Sequence, residues 1–152
     1  MMETPRWLTA EEQQAWRGFV RMHDRLLLRL GRALQADSGL SFADYGVLVE
    51  LTDVPAGRRR FQELARAVEW EKSRMSHHIA RMAKRGLVFR EECPDDGRGA
   101  FVVITPAGRE ALEAAAPRHV AAVRGAFIDH LSPEEIRVLA DVSQRVLDEL
   151  GE

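Results

Sequence analysis

Seven side chains that donate hydrogen bonds lie close together in one short stretch of the chain. They are Lys72, Ser73, Arg74, Ser76, His77, Arg81 and Lys84. If the stretch is helical, these side chains share its outer face. A guanidinium can bond guanine through two parallel hydrogen bonds, and serine or histidine can bond base edges or phosphates. We predict that Arg74, Ser76 and His77, in the first half of the helix, contact base edges. Arg81 and Lys84 are better placed to contact phosphates.

The opposite face of this stretch is apolar. Met75, Ile79 and Met82 occupy positions i, i+4 and i+7, which is the spacing of one helix face. These side chains are predicted to pack the helix against a core while the polar face stays outside. An ordinary solvated helix face is the alternative interpretation of the polar residues.

A β-hairpin is predicted directly after this helix. Its strands cover about 87–91 and 101–104, and its tip contains Asp96 and Arg98 among glycines. The carboxylate of Asp96 can orient the guanidinium of Arg98, and such an arginine suits a narrow minor groove with its negative potential. A surface ion pair worth about 0–1 kcal/mol is the alternative. A helix-turn-helix followed by such a hairpin is typical of a winged helix-turn-helix, which places one helix in the DNA major groove.

Charge is segregated along the chain in a way that suits DNA binding. The formal net charge is −2, from 22 basic and 24 acidic residues, which is unusual for a DNA-binding protein. Residues 58–98, however, contain eleven basic and seven acidic residues, whereas residues 99–152 contain five basic and nine acidic ones. Both lysines of the chain, Lys72 and Lys84, lie in the basic part. The basic excess therefore coincides with the motif.

Composition narrows the class of protein further. No apolar run approaches the roughly 18–20 residues of a membrane span, and the first residues lack the apolar stretch of a signal peptide. Cys93 is the one cysteine, so no disulfide forms within the chain and the cytoplasm is the expected compartment. The histidines lack metal-ligand spacing, and no phosphate loop or nucleophile motif occurs. We expect no metal, no cofactor and no enzymatic activity.

The rest of the chain is predicted to be helical, with side chains that cap each helix start. The predicted ranges are about 9–37 (Thr9 with Glu12), 42–53 (Ser41 with Asp44), 106–131 (Thr105 with Pro106) and 133–150 (Ser132 with Glu135). The second helix is expected to bury Phe42, Tyr45, Leu48 and Val49. The predicted fold is mainly α with a small β-hairpin wing. A winged helix-turn-helix covers 41–105, and a discontinuous helical dimerisation region covers 1–40 and 106–152.

The predicted helices near both ends of the chain carry apolar stripes. A chain of 152 residues has little core left to cover three such stripes, so we expect a homodimer whose terminal helices interlock. Two chains would place their recognition helices about 34 Å apart, which fits a pseudo-palindromic site on double-stranded DNA. An intramolecular bundle of the same helices is the alternative.

The order of these motifs resembles the MarR (multiple antibiotic resistance regulator) family. The resemblance rests on Glu63-Leu64-Ala65, the run from Arg81 to Val88, Asp96-Gly97-Arg98, Ile104-Thr105 and Gly108. It implies a homodimeric DNA-binding regulator, often a repressor of a neighbouring gene. It also implies that a small, often phenolic or anionic ligand binds between the dimer helices and the DNA-binding lobe and weakens DNA affinity. The helix that carries Glu63-Leu64-Ala65 lacks the family's usual Ser or Thr cap and has Phe61-Gln62 instead. Gly99 stands where a polar or charged residue often follows the wing arginine, so the operator sequence is not carried over.

Three residues are candidate ligand contacts, namely Trp16, His23 and Tyr45. His23 and Trp16 are expected on the apolar stripe of the first helix, where an aromatic wall with a hydrogen-bond donor would suit a small aromatic acid. Ordinary core packing is the alternative. A redox-responsive regulator using Cys93 is a further possibility, because oxidation at the base of the wing would disturb DNA binding. A protein-interaction or architectural winged-helix module without an effector also stays open.

Overall fold

Six α-helices and three short β-strands make up the part of the chain that the computed structural model describes, residues 4–92 and 99–151. In chain order the elements are α1 (Ala10–Ser38), α2 (Phe42–Thr52), β1 (Arg58–Arg60), α3 (Phe61–Ala67), α4 (Lys72–Lys84), β2 (Val88–Glu92), β3 (Ala100–Ile104), α5 (Pro106–Ala126), a 3₁₀ turn (Ile128–His130) and α6 (Pro133–Leu150). The predicted fold class is confirmed. Among the described residues, no helix has the length and apolar character needed to cross a membrane.

The chain divides into two compact units. One contains Met1–Leu30 with Ala122–Glu152, and the other contains Gly31–Ala121. The second unit is larger than the predicted segment 41–105, because Leu34 of α1 and Ala115 of α5 belong to its buried core. The helix-turn-helix and its sheet lie wholly within this second unit.

A buried apolar cluster lies at the centre of the second unit. Its largest fully buried side chains are Leu40, Val47, Leu48, Leu51, Leu64, Met75, Ile79, Met82, Val88 and Val102. The predicted inner face of α4 is thus confirmed. Burial of each such side chain contributes roughly 1.5–3 kcal/mol to the free energy of folding, so α4 is firmly packed against the core.

The sheet is antiparallel with the strand order β1-β3-β2. The β2–β3 pairing is the predicted hairpin, and it aligns Val88 with Ile104. Strand β1 was not predicted, because three consecutive arginines have no strand pattern of their own. Its pairing with β3 aligns Arg59 with Val102, so the exposed edge of β3 supplies the hydrogen bonds that make these residues a strand.

The helix starts agree with the capping signals in the sequence. Ser41 and Asp44 form both halves of a capping box at the start of α2, and Ser132 and Glu135 do the same for α6. The Thr105 hydroxyl accepts a hydrogen bond of 2.9 Å from the backbone of Gly108 at the start of α5.

Two details of the predicted helices were wrong. The fifth helix ends at Ala126 rather than at about 131, because Phe127 leaves helical geometry with φ −135° and ψ −66° and a 3₁₀ turn follows. On α2, Phe42 is 38% exposed, and Tyr45 and Val49 are half-buried. The most deeply buried face of α2 is instead that of Val47, Leu48, Leu51 and Asp44, because α2 packs on α3 and on β3.

We expect Gly108→Ala to lower the free energy of unfolding by about 1–3 kcal/mol, as overpacking does. A β-carbon on Gly108 would overlap the carbonyl oxygen of Leu87 and lie 2.9 Å from Cγ1 of Ile104. Gly46→Ala in α2 is the matched control, because its β-carbon meets nothing within 4 Å. The control should raise stability by about 0.4–1 kcal/mol. Urea denaturation followed by circular dichroism measures both, and equal effects would contradict the close packing of Gly108.

Candidate nucleic-acid interface

The outer face of α4 carries all seven residues that the sequence predicted there. Lys72, Ser73, Arg74, Ser76, His77, Arg81 and Lys84 are exposed. The backbone of Gly86, with φ +79°, ends the helix in a conformation that glycine adopts without strain. The predicted wing residues Asp96 and Arg98, and also Cys93, lie outside the described residues. Contact of any of these residues with DNA stays a prediction.

The side chain of Arg74 is stacked on an aromatic ring. Its guanidinium carbon lies 4.1 Å from the centre of the Trp70 ring, which is a cation–π arrangement. Trp70 belongs to the turn between α3 and α4, and its backbone N–H donates to the carbonyl of Ala65 at 2.9 Å. The preceding residue, Glu69, has φ +57°, a left-handed conformation that is uncommon for a residue with a β-carbon.

A buried carboxylate connects α4 to α2. Asp44 is 4% exposed, and its Oδ2 accepts a hydrogen bond of 2.7 Å from the guanidinium of Arg85, at the end of α4. Its Oδ1 lies 2.9 Å from Nε2 of His78, on the inner side of α4. That contact is short but lacks the alignment of a good hydrogen bond. The ring of His78 also meets Trp70 edge to face, with centres 5.0 Å apart.

The surroundings of His78 favour its neutral form. Burial lowers the pKa of His78 below 6.5; Asp44 opposes this shift, and the charges of Arg81 and Arg74 add to it. Arg81 lies 3.3 Å from Nδ1 and can only donate, so Nδ1 accepts and the ring hydrogen is on Nε2, facing Asp44. Burial alone would raise the pKa of Asp44, but the Ser41 backbone N–H and Arg85 outweigh it and lower the pKa below 3.8.

A basic cavity of about 500 Å³ lies beside the start of α4. It is lined by Arg60, Phe61, Gln62, Glu63, Arg66, Lys72, Arg90, Gly99 and Ala100. Four of these side chains are cationic and one is anionic, so the cavity suits an anion such as a backbone phosphate. Of these four cationic residues, the sequence analysis named only Lys72 as a DNA contact and missed Arg60, Arg66 and Arg90. The excess of basic residues in this part of the chain was the feature that could have indicated them.

Arginines of the sheet are also stacked on rings. Arg58 lies 4.3 Å from the ring centre of Phe101, and Arg90 lies 5.1 Å from that of Phe61. Stacking restricts these long side chains while leaving their N–H groups free to donate. Arg58 in addition donates to Glu91 across the sheet at 2.9 Å.

Of the three candidate ligand contacts, Tyr45 lies in an aromatic cluster of the second unit. Its ring centre is 4.5 Å from that of His119, which also meets Phe42 edge to face at 5.8 Å. Burial raises the pKa of Tyr45 and lowers that of His119, so both groups are neutral near pH 7. The sequence did not single out His119, because α2 and α5 are far apart along the chain.

Trp16 and His23 belong to the first unit. Both are largely exposed in a single chain, since Trp16 is 57% exposed and the His23 side chain 52% exposed. Both rings flank Phe19, at centre distances of 6.2 and 6.1 Å. Their role in ligand binding stays a prediction.

The described residues contain no group of three or more acidic, histidine or cysteine side chains arranged to hold a metal ion. The outer face of α4 and the cavity beside it present hydrogen-bond donors and positive charges. An exposed basic helix, anchored by a buried apolar face and followed by a β-hairpin, defines a winged helix-turn-helix DNA-binding protein.

Comparisons with known proteins identify the family. A MarR family model matches residues 38–99. The transcriptional regulator HosA of Escherichia coli O111:H- is 32% identical over 109 residues, which are 72% of this chain and 78% of HosA. Among solved structures, AbsC, a MarR family regulator from Streptomyces coelicolor, has 42% identity and a TM-score of 0.91, over 96% of this chain and 98% of AbsC. Sco3205 from the same organism, solved in complex with DNA, has 43% identity and a TM-score of 0.94, over 99% of this chain and 94% of Sco3205.

The chain belongs to the MarR family. It is a transcriptional regulator and not an enzyme, as the sequence predicted.

The lowered pKa of His78 predicts how stability depends on pH. The unfolded chain binds a proton at His78 near pH 6.5, whereas the folded chain binds it only at lower pH. The contribution of neutral His78 to the free energy of unfolding is therefore fully present above pH 6.5 and is lost as the pH falls. Urea denaturation at pH 7.5 and 5.5 should give a lower free energy of unfolding at 5.5. His78→Gln should show a smaller difference between the two pH values.

Ser76→Ala, a change on the exposed face of the same helix, is the control and should keep the wild-type difference. His119→Gln should reduce the difference as well, because burial also lowers the pKa of His119. A pH dependence unchanged by His78→Gln would contradict the assignment of a buried neutral imidazole.

Proposed function

We propose that this regulator is a homodimeric, sequence-specific repressor that acts in the cytoplasm on a gene next to its own. In this proposal α4 enters the major groove of a pseudo-palindromic operator. The observation that supports it most directly is the amphipathic character of α4. This helix has three fully buried apolar residues on one side and seven exposed hydrogen-bond donors on the other. The similarity to Sco3205, which was solved in complex with DNA, supports it.

On α4 we assign base contacts to Arg74, Ser76 and His77, and phosphate contacts to Arg81 and Lys84. The basic cavity lined by Arg60, Arg66, Lys72 and Arg90 adds a place for a backbone phosphate beside the helix. In the wing, Asp96 would orient Arg98 toward the minor groove. Phosphate contacts of this number make affinity strongly dependent on salt.

The exposed apolar residues of the first unit support a homodimer. They include Trp16, Phe19, Met22, Leu27, Leu28, Ile136, Val138, Val142, Val146, Leu147 and Leu150. Exposed apolar residues in this number are unusual for a chain that acts alone and are typical of an interface. A second copy of the chain would bury them, and the two recognition helices could then contact successive half-sites.

The aromatic cluster of Phe42, Tyr45 and His119 supports a small aromatic effector. It offers aromatic faces together with one phenol and one neutral imidazole, which can bond a carboxylate or a hydroxyl group. Trp16 and His23, in the first unit, remain separate candidate ligand contacts. Binding of the effector would weaken DNA affinity and release the repressed gene.

DNA binding is tested by fluorescence anisotropy with a duplex from the region flanking the protein's own gene, at two salt concentrations. We expect tight, salt-sensitive binding of two chains per duplex and weaker binding to a scrambled duplex. Arg74→Ala should cost about 1–3 kcal/mol on the cognate duplex and relax base preference. Arg98→Ala should weaken binding without changing preference in the major groove.

Arg137→Ala, which removes an exposed arginine of α6, is the matched control and should bind like wild type. Unchanged affinity in both the Arg74 and Arg98 variants would remove the basis of the proposed DNA contacts. Binding to neither duplex at low salt would instead favour a protein-interaction module.

The effector proposal is tested with the same duplex and a panel of hydroxylated benzoic acids. At least one compound should lower DNA affinity, and Tyr45→Phe and His119→Gln should reduce this response while leaving DNA binding without ligand unchanged. His130→Gln is the control, because His130 is exposed and its ring contacts a residue outside the cluster. Its Nε2 lies 3.1 Å from the carbonyl oxygen of Gly125. A response that persists in both variants would exclude the cluster as the ligand site.

The redox alternative is tested with the same duplex. If an oxidant lowers DNA affinity and Cys93→Ser abolishes this effect, the redox alternative is favoured.

A further inference from the structure

Three contacts in series connect the buried carboxylate of α2 to an exposed arginine of α4. Asp44 lies 2.9 Å from the imidazole of His78, the imidazole meets the Trp70 ring at 5.0 Å, and Trp70 carries the guanidinium of Arg74 at 4.1 Å. Two of the four residues, Asp44 and His78, are buried, Trp70 is half-buried and Arg74 is exposed. The series therefore runs from the core to the surface proposed to face DNA.

Each inner member of this series is fixed by further contacts. Asp44 accepts a backbone hydrogen bond from Ser41 at 2.9 Å and a side-chain hydrogen bond from Arg85 at 2.7 Å. His78 is on the buried side of α4, with Nδ1 3.3 Å from Arg81. Trp70 is set by the hydrogen bond to Ala65 and by the left-handed backbone of Glu69 before it. Arg74 is exposed, and its contact within the series is the stacking of its guanidinium on the Trp70 ring.

We propose that Asp44, His78 and Trp70 are positioning residues that hold the Arg74 guanidinium in the orientation in which it contacts a base, so that they set base preference without touching DNA. This inference rests on the proposed role of Arg74. A bidentate contact requires the plane of the guanidinium to match the base edge. An arginine already confined to one orientation loses less side-chain entropy on binding, and an incorrect base then gains less from rearrangement of the side chain.

In the alternative interpretation, the stacking on Trp70 keeps the Arg74 guanidinium away from DNA. In that case, removal of the Trp70 ring would free the guanidinium and strengthen binding. The two effects therefore differ in sign, and one variant distinguishes them.

The experiment starts with selection of a preferred site from a random duplex library by the wild-type protein. The same selection with Arg74→Ala identifies the base pair at which preference is lost, where a bidentate contact is worth about 5–150-fold in discrimination. Affinities are then measured on the preferred duplex and on the duplex changed at that base pair. The ratio of the two affinities is the readout.

We expect Trp70→Leu and His78→Leu to lower this ratio at least about fivefold, and Trp70→Phe to restore most of it, because phenylalanine keeps an aromatic face for the guanidinium. Trp70→Leu combined with Arg74→Ala should lose no more discrimination than Arg74→Ala alone. Met82→Leu, a change at a buried position on α4 outside the series, should leave the ratio unchanged. Thermal unfolding of each variant identifies loss of fold, and His78→Leu keeps the test decisive if Trp70→Leu does not fold.

Three results would overturn the inference. If Arg74→Ala changes discrimination and the Trp70 and His78 variants do not, the positioning role is wrong while the DNA contact stands. If Trp70→Leu binds more tightly, the stacking keeps Arg74 from DNA. If Arg74→Ala leaves all base preferences unchanged, both the proposed contact and the positioning role fail.

Discussion

The carboxylate of Asp44 is the contact on which the geometry of the recognition helix most depends. One oxygen caps α2 and bonds Arg85, and the other faces His78, so a single buried charge joins the start of α2 to the middle and end of α4. A buried carboxylate is costly unless its charge is compensated, and here a backbone N–H and a guanidinium compensate it. The orientation of α4 is thereby restricted to positions in which these partners stay in place.

The basic surface illustrates how an overall acidic chain can bind a polyanion. What matters is the local potential at the contact surface, and here arginines of β1, α3 and β2 surround one cavity while the acidic excess lies toward the end of the chain. Several arginines are stacked on aromatic rings, which restricts their side chains before DNA is bound. Ordered cations of this kind lose less entropy when they meet phosphates than freely moving lysines do.

Several features could be predicted because they are local. The capping boxes at Ser41 and Ser132, the inner face of α4 with Met75 and Met82, and the β2–β3 hairpin depend on neighbours within a few residues. The end of α5 was misplaced, because the apolar pattern continues through the 3₁₀ turn although the backbone at Phe127 does not. Strand β1 was missed, because pairing with β3 rather than its own arginines makes it a strand.

The sequence by itself determined the order of the helices and of the β2–β3 hairpin, the two faces of α4 and the family resemblance, since periodicity and capping are properties of short segments. Only the tertiary structure decided which side chains meet across long separations. Asp44 and Arg85 are 41 positions apart, and Tyr45 and His119 are farther apart still, so no short pattern encodes either contact. The inward direction of His78 was settled in the same way, by the packing of α4 against the core and by the contact with Asp44. The stacking of Arg74 on Trp70 joins close neighbours in the sequence, but it depends on the left-handed backbone at Glu69, which no sequence pattern indicated.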